Sequence, residues 1–124
     1  MRFLSFIGLL LVAGVASAQS PSEAASGEIT QLFLALQNSK CMFSRNGVRY
    51  GGREAAAHLR RKYDYLIEKG MVSSAEAFID LAATKSSMSG EAYLVFCGNA
   101  QPVASKSWFT RQLKEVRTRS ADAR

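Results

Sequence analysis

The chain has 124 residues and a formal net charge of +6, with a pI of about 9.7. That length is enough for one domain with a modest core. The basic excess suits anionic surfaces or ligands, but acids are interspersed among the bases without the clustered face that nucleic acid asks for, so a nucleic-acid partner is not expected.

Arg2 precedes an almost unbroken apolar run from Phe3 to Val15, and Ala16-Ser17-Ala18 is a small-x-small triplet. The run is shorter than the roughly 20 residues that span a bilayer. It predicts a secretory signal peptide over residues 1–18, cleaved near Ala18-Gln19. The working chain is then expected in the periplasm or outside the cell. No cysteine follows the triplet, so a lipid anchor is not indicated, and no later stretch is apolar enough to span.

Residues 19–27 are small and polar and read as a loose lead-in to a single domain over 28–116. From Glu28 the apolar residues Ile29, Leu32, Phe33 and Leu36 form one helical stripe. The helix is expected to stop near Asn38-Ser39, and its start could reach back to Pro21-Ser22. Asn46-Gly47 is a strong hairpin signal, because both positions tolerate positive φ. A turn there sets Phe43 opposite Tyr50 on one sheet face, which Cys41 shares.

Gly51-Gly52 breaks the strand, and Glu54–Lys69 reads as a second helix with Ala55, Leu59, Tyr63, Leu66 and Ile67 along one face. Gly70 is a C′ stop. Ser73-x-x-Glu76 reads as a capping box opening a third helix to about Ala83, with Phe78, Leu81 and Ala82 inward. After a polar loop, Glu91–Cys97 suits a strand buried on both faces. Gly98–Ala104 is expected to turn. Ser105 is the expected cap of a last helix carrying Trp108, Phe109, Leu113 and Val116. Residues 117–124 form a basic tail expected to fray.

An even cysteine count in an exported domain reads as a disulfide, here Cys41–Cys97. Neither cysteine lies in a C-x-x-C and His58 is the single histidine, so no metal or other cofactor is expected. The parts assemble into an α+β domain of three to four helices packed on a small, about three-stranded antiparallel sheet, with the disulfide joining strand to strand.

Several segments occur together in this order: Cys-x-Phe-x-Arg-Asn-Gly at 41–47, Glu-Ala-Ala-x-His-Leu at 54–59 followed by Lys62, Ser-Ala-Glu-x-Phe-Ile at 74–79, and Ser-Ser-x-Ser-Gly-x-x-Tyr at 86–93, with Trp108 after them. The set resembles a family of small exported proteobacterial proteins catalogued as a domain of unknown function. The resemblance covers about Glu28 to Val116. It implies a compact exported helix-plus-sheet domain with no activity attached, and a family pattern that carries His58, Lys62 and the 86–90 loop.

His58 and Lys62 are four apart and share a helical face, which Arg61 can join. Ser86, Ser87 and Ser89 with Gly90 form a hydroxyl-rich loop able to hold an anion. Should loop and helix meet, they would cup a carboxylate, sulfate or phosphate. The competing account has the serines capping backbone groups and His58 as a satisfied polar residue. A serine hydrolase would take His58 as base, Ser86 or Ser87 as nucleophile and Asp64 or Asp80 as acid, but nothing in the spacing selects among them and no G-x-S-x-G is present. Ser89-Gly90-x-x-Tyr93 also looks like the short loop of periplasmic lysozyme inhibitors. Those proteins are β-rich, and a basic chain would be repelled by cationic lysozymes.

The last helix adds two further features. Trp108 and Phe109 are adjacent, which predicts either one exposed contact aromatic or a small core that takes in both. Arg111, Lys114, Arg117 and Arg119 could complement the helix dipole or dock on an anionic surface. The sequence therefore favours a non-enzymatic binding or interaction module. Its partner would be an envelope or extracellular protein, or an anionic ligand or surface.

Overall fold

The computed structural model describes residues 7–10 and 20–123. The predicted cleavage triplet and most of the predicted leader lie outside the described residues. The elements run α1 (Glu23–Asn38), β1 (Met42–Arg45), β2 (Val48–Tyr50), α2 (Gly52–Glu68), α3 (Ala75–Ala82), β3 (Leu94–Phe96), β4 (Val103–Ala104) and α4 (Ser105–Asp122). The strands form one antiparallel sheet in the order β2-β1-β3-β4. This is the expected α+β architecture with one strand more than expected. The extra strand, β4, is two residues long and falls in the segment assigned to a turn, too short to leave a period-2 pattern.

The hairpin register is as the Asn-Gly signal requires. Asn46 and Gly47 have φ of 51° and 79°, and Phe43 pairs with Tyr50. Across the other ladder Phe43 pairs with Val95 and Met42 with Phe96. Continuing that register by one residue sets Cys41 against Cys97, and the two form a disulfide. Phe43, Tyr93 and Val95 are buried on the face the helices cover. Leu94 and Phe96, on the opposite face, are only partly buried. The β3 strand is therefore buried on one face, not two as its apolar composition suggested.

α1 packs on the other three helices, α2 lies over β1 and β2, and α4 lies over β3 and β4. The core joins Leu32, Leu36 and Phe33 of α1 to Phe78 of α3 and to Trp108 and Phe109 of α4. Both aromatics of the Trp108-Phe109 pair are buried. Trp108 packs edge-on to Phe43 with centroids 5.2 Å apart, and Phe109 reaches Phe78 at 6.5 Å. Each such fully buried side chain contributes about 1.5–3 kcal/mol of transfer free energy.

Several element ends differ from the sequence reading, each for a local reason. α1 begins at Glu23, in line with the early start allowed at Pro21-Ser22, because the Ser22 hydroxyl accepts the Ala25 N–H at 3.1 Å; the loose lead-in expected over 19–27 is therefore helical from Glu23 onward. The α3 cap is Ser74, not Ser73. Its hydroxyl accepts from Ala77 N at 3.0 Å, and Glu76 pairs with Arg117 instead. Phe78, Ile79 and Ala82 face inward from α3, while Leu81 is exposed. Ser105 is the first residue of α4, not its cap; Ala104 holds the cap position. α4 runs through most of the supposed tail. Arg117 bonds Glu28 of α1 at 2.7 and 3.2 Å and also pairs with Glu76 of α3, which ties the helix end to both neighbours.

Two glycines have structural reasons. Gly70 (φ 65°) sends its N–H to Ile67 O while Met71 N–H reaches Leu66 O, a Schellman stop to α2. Gly52 opens α2 against the end of α1, where an added Cβ would collide with the Leu36 carbonyl oxygen. No helix among the described residues is long and apolar enough to cross a membrane.

Candidate functional site

The helical spacing that puts His58 and Lys62 on one face of α2 aims both at the hairpin and at the strand entry of β3. Period 2 along β1 places Arg45 on the core face with Phe43, at the last position before the turn. The three elements bring Arg45, His58, Lys62 and Tyr93 into one hydrogen-bonded chain. Arg45 Nη1 lies 3.0 Å from His58 Nδ1, and His58 Nε2 lies 3.1 Å from the Tyr93 hydroxyl. Lys62 Nζ donates to the same hydroxyl at 3.2 Å and to the Lys85 carbonyl at 3.0 Å.

Donor and acceptor roles follow from the chemistry. A guanidinium only donates, so His58 Nδ1 must accept and carries no proton. Arg45 Nη1 lies nearer to Nδ1 (3.0 Å) than to Nε2 (3.4 Å), so the neutral ring keeps its proton on Nε2 and donates that N–H to the Tyr93 hydroxyl. The Tyr93 oxygen accepts from both His58 and Lys62, and its own O–H has no acceptor among the described residues. Burial, then the charges of Arg45, Lys62 and Arg61, push the His58 pKa down from 6.5 to about 4. Burial first and Arg45 second lower the Lys62 pKa, and burial raises that of Tyr93.

Beside this chain a cavity of about 280 Å³ opens between α2, the sheet and the start of α4. Phe43, Leu59 and Phe109 make its apolar wall, and Arg45, His58, Glu54 and Arg61 stand among its polar groups. No carboxylate lies within 4.0 Å of Arg45, Arg61 or Lys62 among the described residues, although Arg45 is half-buried. Arg45 leans instead toward the Tyr50 ring, 5.7 Å from its centroid.

The serine loop takes another part. Asn46 at the hairpin tip donates to Ser86 Oγ at 3.5 Å and accepts from Ser89 Oγ at 2.6 Å. Ser86 Oγ also accepts the Ser89 N–H, and Ser89 Oγ accepts the Glu91 N–H. Gly90 supplies the positive φ (74°) that the turn needs. Ser86 is buried, whereas Ser87 is exposed and makes no side-chain hydrogen bond among the described residues. Of the sequence candidates, His58 and Lys62 thus meet at one place, while Ser86, Ser89 and Gly90 buttress the hairpin next to it. His58 is hydrogen-bonded to no serine and no carboxylate among the described residues. Asp64 is exposed, and Asp80 pairs with Lys106 at 3.1 Å. Tyr93, the last residue of the Ser-Gly-x-x-Tyr motif, is a core side chain whose hydroxyl is held from within.

Arg45 and Tyr93 were missed as members of the site. Arg45 carried a usable signal: with Phe43 placed inward, period 2 puts Arg45 inward as well, and a charged residue on a core face needs a reason. Among the described residues no group of three or more His, Cys, Asp or Glu side chains could hold a metal ion.

These features define a small α+β domain, closed by a cross-strand disulfide, with a cation-rimmed cavity between helix and sheet. The chain belongs to a family of unknown function, DUF5329, which it matches over residues 23–117. No curated protein and no solved structure matches it.

Proposed function

We propose that this protein is an exported, non-enzymatic binding module, and that its ligand places an anionic group on Arg45 at the rim of the cavity beside α2. The observation that carries the reading is a half-buried guanidinium with a neutral imidazole at its back and no carboxylate within 4.0 Å of it among the described residues. A charge withdrawn from water is costly unless it is paired, and a bound anion would pair it. Arg61 lies on the same cavity and the unengaged Tyr93 O–H adds a neutral donor. Lys62 stands behind Tyr93 and fixes that hydroxyl. The Cys41–Cys97 bond supports export, since disulfides persist where the surroundings are oxidising. Among the described residues His58 bonds Arg45 and Tyr93 and none of the serines or carboxylates of a hydrolase triad, which favours the binding reading.

Thermal unfolding in acetate or sulfate, against chloride at matched ionic strength, tests the reading. A site in the native state raises the melting temperature with anion concentration. The rise should appear in the wild type and vanish in Arg45→Gln. Equal shifts in both proteins would remove Arg45 from the site.

A further inference from the structure

We infer that the ligand is a small amphipathic monocarboxylate, with its head on Arg45 and its apolar body against Phe43, Leu59 and Phe109. The inference rests on the anion-binding reading above and adds the rest of the ligand to it. The wall is the reason for the body. Phe43, Leu59 and Phe109 are 7%, 4% and 1% exposed, yet they border a cavity of about 280 Å³. An inorganic anion would reach the rim and leave that apolar space unfilled. At roughly 30 Å³ per water-sized group, the space takes about nine non-hydrogen atoms.

Charge selects the head. Arg45, Arg61 and Glu54 all line the cavity and His58 is neutral, so one net positive charge remains. That suits a monoanion better than a dianionic phosphate, which Glu54 would repel. A planar carboxylate also matches the guanidinium fork. The same chemistry is offered by a free carboxylic acid and by the apolar C-terminal residue of a peptide.

Calorimetric titration with acetate, butyrate, hexanoate and octanoate at constant ionic strength tests the proposal. Affinity should climb by about fourfold per added methylene, level off once the cavity is full, and fall at least tenfold in Arg45→Gln. Hexanol should bind at least tenfold more weakly than hexanoate. Ala55→Leu, which fills the wall, should flatten the chain-length series in a protein whose Arg45 is intact. This arm stands even if Arg45→Gln unfolds. The tripeptide Ala-Ala-Phe against phenylpropionate assigns the source: tighter binding of the peptide points to a chain terminus, and tighter binding of the acid to a free metabolite. Acetate binding that depends on Arg45 with no gain from chain length would overturn the inference and leave the anion site standing. Chain-length gain that persists unchanged in Arg45→Gln, or no binding at all, would overturn both.

Discussion

The balance at Arg45 is set by a histidine that cannot answer it with charge. His58 gives Nδ1 to the guanidinium at 3.0 Å, and protonating that atom would cost the hydrogen bond and add a cation beside Arg45 and Lys62. The pKa of about 4 expresses this, with burial as the larger cause and Arg45 next. The sign for stability follows. Unfolded His58 takes a proton near 6.5 and folded His58 only near 4, so between those values the unfolded state binds more protons. Stability should therefore fall as pH drops from 6.5 to 4, and His58→Gln should remove that part of the acid sensitivity. NMR titration of the imidazole should give a midpoint near 4 in the wild type and a higher one in Arg45→Gln. An unchanged midpoint in the variant would mean that burial and the remaining charges of Lys62 and Arg61 depress the group without Arg45.

At the scale of elements, helix and strand identities were legible because they rest on periodicity, and their ends were not. The stripe Ile29, Leu32, Phe33, Leu36 and the Asn46-Gly47 turn gave α1 and the hairpin directly. Ser73 and Ser74 offer the same hydroxyl to a sequence reader, and only the Ala77 N–H at 3.0 Å chooses Ser74. The apparent tail became helix through a long-range pairing, Arg117 with Glu28, that no local window contains. β4 is too short to carry a pattern and exists because Val95 offers Val103 a ladder partner. The α1–α2 junction gives the sharpest test of packing. Gly52→Ala drives a Cβ into the Leu36 carbonyl and should destabilise by about 1–3 kcal/mol in urea unfolding. Gly51→Ala, whose Cβ meets open space, should stay within about 1 kcal/mol. Equal effects would show that the helices are not in close contact there.

On the scale of the molecule, the disulfide joins positions 56 residues apart and so constrains half of the domain. The chain-entropy model assigns such a loop about 4 kcal/mol. Cys41→Ala/Cys97→Ala should lose a stability of that order, and the wild type should show no reactive thiol without reductant. Part of the site was legible in the same way as the fold: helical spacing joined His58 to Lys62. The partners were not, because Arg45 and Tyr93 come to His58 from 13 and 35 residues away. The serines misled because hydroxyls that cap a loop and hydroxyls that hold a ligand share one sequence signature. The proposed function requires that the cavity be occupied through Arg45. Chemical-shift mapping with hexanoate is the direct measurement. Binding here predicts saturable shifts confined to the cavity lining, at Arg45, His58, Tyr93, Phe43, Phe109 and the α2 face beside them, while saturable shifts centred on any other surface, or none up to millimolar ligand, would contradict the account.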